Sequence, residues 1–166
     1  MSIPASTAEP RPAEKAEPHG IGGWLALLAL GQIAGPMKFF VSIIQYYGTL
    51  DGALLQKFPI TLGGEVLLNL AAGAIYIITA VLFFRASKRF PRFFLYEVIA
   101  TAAVLPLSVA WVALGIGFES GQPGWPIAVN TVTRLEIVQT IGGAIVGTIW
   151  IVYLKRSRRA ANTFVR

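Results

Sequence analysis

Cysteine is absent from this chain, histidine and aspartate each occur once, and charged residues make up only 13% of it. Without cysteine there are no disulfides, thiolate metal sites or cysteine nucleophiles. The one histidine, His19, precedes the first apolar stretch. A haem or catalytic zinc site needs several ligands converging at one depth, so no metal and no cofactor is expected. The one aspartate, Asp51, excludes a pair of catalytic aspartates, and Ser42 and Ser108 have no histidine inside the apolar stretches to activate them. No enzyme is expected.

What fills the chain instead is apolar: 55% hydrophobic residues and a mean hydropathy of +0.64. Soluble domains carry roughly a quarter charged residues and a smaller apolar share. Four long apolar stretches run from about Trp24 to Tyr46, Glu65 to Phe84, Phe93 to Gly115 and Thr133 to Leu154. About 20 residues rising about 1.5 Å each match a hydrocarbon core about 30 Å thick. The expected fold class is all-α, an integral membrane four-helix bundle. Residues 1–18, rich in Ala, Pro and Glu, read as a disordered tail that lacks the basic start of a secretory signal, leaving residues 19–166 as one four-span domain.

The net charge of +6 is unevenly placed. Arg85, Lys88, Arg89 and Arg92 lie between spans two and three, and Lys155, Arg156, Arg158, Arg159 and Arg166 follow span four. In a four-span chain these segments share one side, which the positive-inside rule makes cytoplasmic, together with both termini. The opposite loops carry Asp51, Lys57 and Glu119. Insertion thus accounts for the cations; the expected partners are membrane lipids, with no nucleic acid. Thr49 to Lys57 reads as a short interfacial helix with Leu50, Leu54 and Leu55 toward lipid, and the loop holding Gly121, Pro123, Gly124 and Pro126 as irregular.

Ionisable residues inside spans cost about 2.5–3.5 kcal/mol at mid-bilayer and are the best functional pointers. Lys38 sits eight residues before Tyr46, about 12 Å below the outer end. Glu65, Asn69, Arg134, Glu136 and Gln139 occupy the same outer half, giving a candidate polar cluster of Lys38, Glu65, Asn69, Arg134, Glu136 and Gln139. Within it Lys38, Glu65 and Arg134 are expected to form a charge network, either neutralising one another or receiving an anionic headgroup or solute. Glu97, one turn inside the cytoplasmic edge, is expected to pair with Arg92 or with the cations after span four. Gly31 and Gly35 in span one, and Gly143 and Gly147 in span four, form small-xxx-small pairs expected to make helix contacts, within the bundle or in a homodimer.

His-Gly-Ile-Gly-Gly-Trp-Leu at residues 19–25, Phe-Pro-Arg at 90–92 and the ending Ile149-Trp150-Ile151-Val152-Tyr153-Leu154, Ser157, Arg159, Thr163-Phe164-Val165 resemble the bacterial membrane family called domain of unknown function 2569. Glu65, Asn69 and Arg134 resemble its recurrent polar positions, whereas Val152 stands where the family often shows proline. The resemblance implies a four-helix protein of the inner membrane and no particular reaction. The leading expectation is a non-enzymatic interaction or accessory subunit with a membrane-protein partner or a homodimer. The alternative is a small transporter or lipid-binding protein using the outer polar cluster; a polar cavity joining those residues to the outside favours the alternative, and a dry closed cluster the first.

Overall fold

The computed structural model describes residues 20–165, so the expected tail over 1–18, His19 and Arg166 lie outside the described residues. Seven helices follow one another: α1 (Trp24–Gly48), α2 (Gly52–Lys57), α3 (Pro59–Phe84), α4 (Phe90–Ser120), α5 (Gly124–Thr131), α6 (Arg134–Arg156) and α7 (Arg158–Thr163). Four of them, α1, α3, α4 and α6, are long and apolar enough to cross a membrane. No strand occurs among the described residues.

Helix starts follow local chemistry. Gly23, at φ 57°, makes the turn that begins α1. Asp51 caps α2 through the Ala53 amide, 3.0 Å away. Thr133 and Glu136 form a reciprocal capping box at the start of α6. Helix α3 begins at Pro59, whose missing N–H costs nothing in a first turn. It therefore includes Gly63 and Gly64, six residues before the sequence-expected start at Glu65. The cap comes from across the bundle: Glu119 accepts from the Ile60 amide at 2.8 Å, from the Thr61 amide at 3.0 Å and from the Thr61 hydroxyl. Glu119 is thus a helix cap rather than the free loop charge that its position suggested.

The loop expected to be irregular contains α5. Pro126 is accommodated there because the first turn of a helix has no intrahelical acceptor for its amides. Pro36 and Pro106 lie inside α1 and α4, and both helices continue through them.

The long helices stand side by side in the order α1, α3, α4, α6, with α5 against α4 and α2 against α3. At Gly147 the Cβ of an added methyl would lie 2.5 Å from Val98 Cγ2, and at Gly143 one would lie 3.2 Å from Thr101 Cγ2, so these glycines set the close approach of α6 to α4. Gly31 and Gly35 behave differently: among the described residues nothing within 4 Å would meet a methyl at either, so neither sets a close approach between helices.

The main apolar core lies at one end, where the basic segments are. Leu25 and Leu28 of α1, Phe83 of α3, Phe90 and Phe94 of α4 and Leu154 of α6 pack there with Ala160 and Phe164. Phe164 lies 4.6 Å from Phe90 and 5.7 Å from Phe83 between ring centroids. Ser157 caps α7 through the Ala160 amide at 3.3 Å, turning the chain back so that Thr163 accepts the Gly20 amide at 3.0 Å. Elsewhere the surface is apolar, from Leu30 at 63% exposed to Leu114 at 72% and Phe118 at 80%. A surface of that kind suits hydrocarbon, not water.

Candidate functional site

Helix α1 leans on α3, and α6 leans on α4, leaving between α1 and α6 a cavity of about 860 Å³. Its sides are α1 and α6, its back is α3 and α4, and Leu54, Phe58, Ile127 and Val132 lie toward the α2 and α5 end. At the basic end Trp24 meets Trp150 edge to face, 6.4 Å between centroids. Gly31 and Gly35 line the wall of α1, so their missing side chains make room in this space. Ligand pockets span about 300–1,000 Å³, which puts this one near the upper end.

Most of the lining is apolar, with polar groups gathered in two places. Toward the α5 end, Glu65, 8% exposed, accepts from the Ser108 hydroxyl at 3.0 Å and the Tyr46 hydroxyl at 3.5 Å. One turn further along α3, Asn69 donates to the Glu65 carbonyl at 3.0 Å and to the Tyr47 hydroxyl at 3.3 Å. Eleven residues along α4 from Ser108, about 16 Å by helical rise, lies the second polar station at Glu97. There Gln32 of α1 donates its amide to both Glu97 oxygens at 3.2 Å. Thr101 donates to the Glu97 carbonyl at 2.9 Å, and its hydroxyl is 2.7 Å from that of Tyr76. Gln32 is 3% exposed, and its Oε1 is buried with no hydrogen-bond partner.

Of the expected polar cluster, Lys38, Glu65, Asn69, Glu136 and Gln139 all line the cavity, and Arg134 does not. Arg134 opens the first turn of α6 and is exposed. Among the described residues no ion pair links Lys38 or Arg134 to Glu65 or Glu136, so the expected network of Lys38, Glu65 and Arg134 is replaced by hydroxyl and amide hydrogen bonds. Glu136 is occupied locally, accepting from the Thr133 amide at 2.7 Å and its hydroxyl at 2.8 Å. Glu97 turns toward Gln32 instead of the basic end, because its place on α4 faces α1 across the cavity. Gln32, Tyr46, Tyr76 and Ser108 went unpredicted. A glutamine eight residues after Trp24, inside a long apolar run, was the signal for the first; the tyrosines read equally well as interface aromatics. Among the described residues no group of three or more His, Asp or Glu is placed to hold a metal.

Residues 18–165 match the family described as "Protein of unknown function (DUF2569)". The chain belongs to that family. No curated protein and no solved structure matches the chain. The segments that carried the resemblance meet in space at the basic end of this DUF2569 protein: Gly22 and Gly23 lie against the Arg159 guanidinium, Leu25 and Phe90 are fully buried, and Thr163 and Phe164 close over them. A methyl at Gly22 would lie 2.8 Å from Arg159 Nη1, which is why small residues stand at the foot of α1. The segments that carried the resemblance thus build a clasp at the basic end, joining the start of α1 to the segment after α6, while the cavity lies further along the helices.

Proposed function

We propose that this protein is a non-enzymatic, multi-pass protein of the bacterial cytoplasmic membrane that holds a lipid-like molecule in the space between α1 and α6, with its basic end and both termini in the cytoplasm. One observation carries the reading: a cavity of about 860 Å³, apolar along its walls and polar at two depths, inside a bundle whose outer surface is hydrocarbon-like. An accessory subunit that merely packs against a partner has no need of such a space. The sparse packing between α1 and α6 beyond the Trp24–Trp150 contact supports a lateral opening through which an acyl chain enters from the bilayer. Placement of the basic end rests on the lysines and arginines at 85–92 and 155–159.

The absence of cysteine makes the native chain its own background for labelling. A cysteine at Gly35, where a side chain meets open space, should react with a lipid-soluble maleimide and be protected by bound lipid. Gly35→Trp should fill the cavity and strip co-purifying lipid, read by native mass spectrometry, while the protein stays folded. Retention of the same lipids by folded Gly35→Trp would reject the cavity as the binding place. In intact cells Ser87→Cys should react only with membrane-permeant maleimide; labelling by an impermeant reagent would reverse the orientation.

A further inference from the structure

We propose that the cavity selects a cationic amphiphile, a primary or secondary ammonium on an apolar body, with the ammonium seated between the Gln32 side-chain carbonyl and the Glu97 carboxylate. This rests on the cavity reading above and adds the charge and donor chemistry of the occupant. It also reverses the sign expected from Lys38 and Arg134 in the sequence.

The charged lining is acidic. Glu65, Glu97 and Glu136 face the cavity against Lys38 alone, with Arg134 off its wall. Glu136 is taken up by its own helix start, and Glu65 by two hydroxyl groups. Glu97 takes the Gln32 amide on its two oxygens, with the Thr79 hydroxyl beside it and no cation, and both Gln32 and Glu97 are more than nine-tenths buried. Glu97 can ionise at that depth only with a compensating cation beside it, and no Lys or Arg among the described residues supplies one, so an entering ammonium is what would favour the carboxylate form.

The Gln32 amide, in the orientation that donates to Glu97, adds a second requirement. With Nε2 committed to Glu97, Oε1 is left as a buried acceptor without a donor, on a side chain that lines the cavity. A buried unsatisfied acceptor is costly, and a group with several N–H donors and no acceptor suits both Oε1 and the carboxylate at once. An ammonium bearing hydrogens is that group. A carboxylate or phosphate in the same place would meet an acceptor and a like charge. A quaternary ammonium would satisfy the charge and leave Oε1 unmet. The apolar body would run along Gly31, Gly35 and Val146, where the walls offer room without polar partners.

The test uses the full chain in detergent micelles with three probes of equal chain length: n-dodecylammonium, n-dodecyltrimethylammonium and dodecanoate. Binding is read by the fluorescence of Trp150, which lines the cavity, in a variant whose other tryptophans are phenylalanine, and by thermal unfolding of the unmodified protein. Dodecylammonium should bind at least about tenfold more tightly than either other probe, the scale of one buried charge-assisted hydrogen bond. Glu97→Gln should remove that preference, and Gln32→Leu should reduce it. Equal binding of dodecanoate and dodecylammonium to the native protein overturns the inference while leaving the cavity reading in place. If no probe binds and Gly35→Cys is not protected by lipid, both fall. The probe series on the native protein decides the matter even where Glu97→Gln does not fold.

Discussion

Replacing Gly147 with alanine adds one methyl group to α6 where the facing surface of α4 has no space for it. That methyl would lie 2.5 Å from Val98 Cγ2 and 2.9 Å from Cγ1. Valine is stiff at χ1, so its side chain does not swing aside and the helices must separate. Overpacking of this kind costs about 1–3 kcal/mol. The same replacement at Gly31, where nothing lies within 4 Å, adds the methyl to the cavity wall at no steric cost. Alanine also improves on glycine within a helix, by about 0.5–1 kcal/mol. That gain is common to both variants, so the difference between Gly147→Ala and Gly31→Ala isolates the steric contribution of about 1–3 kcal/mol. Loss of helicity on titration with dodecyl sulfate in mixed micelles measures it for each purified variant. Gly147→Ala should unfold at distinctly lower dodecyl sulfate than Gly31→Ala, which should match or exceed the native protein. If the two are destabilised equally, α1 packs through its glycines after all, and the space between α1 and α6 does not exist in the folded protein.

Two other perturbations probe the two ends of the bundle. Phe164→Ala removes a ring that is 7% exposed and wedged against Phe83 and Phe90; it should cost about 3–5 kcal/mol in the same titration, and a change under about 1 kcal/mol would show that the clasp is not part of the core. Glu119→Ala should speed hydrogen exchange at the amides of Ile60 and Thr61 while leaving the middle of α3 protected, and unaltered exchange there would rule out the cap.

The four spans were legible because hydrocarbon imposes length and polarity on a helix whatever it packs against. Their ends were less so. Helix α3 starts at Pro59 instead of Glu65 because its cap, Glu119, is some sixty residues away in the sequence, and the Gly63–Gly64 pair looks like a break until the Trp111 ring is placed against Gly64. The irregular loop became α5 for a similar reason: Gly124 packs against the Ala113 carbonyl of α4, an approach that spacing does not reveal. In the candidate site, helical spacing put Glu65 with Asn69, and both line the cavity. It did not say which way α1 turns, and that rotation decides that Gln32, not a basic residue, meets Glu97 and that Gly31 and Gly35 face empty space. Periodicity shows what shares a face of one helix; partners across helices depend on rotations that only packing sets.

The docking of α7 has a consequence for biogenesis. Gly20 is held by Thr163, and the apolar foot of α1 is covered by Ala160 and Phe164, all of them supplied after α6. When α1, α3 and α4 have been made, Phe83, Phe90 and Phe94 are present to meet the foot of α1, but Ala160, Thr163 and Phe164 are not. A chain ending short of residue 160 would therefore lack the groups that cover that foot and hold Gly20.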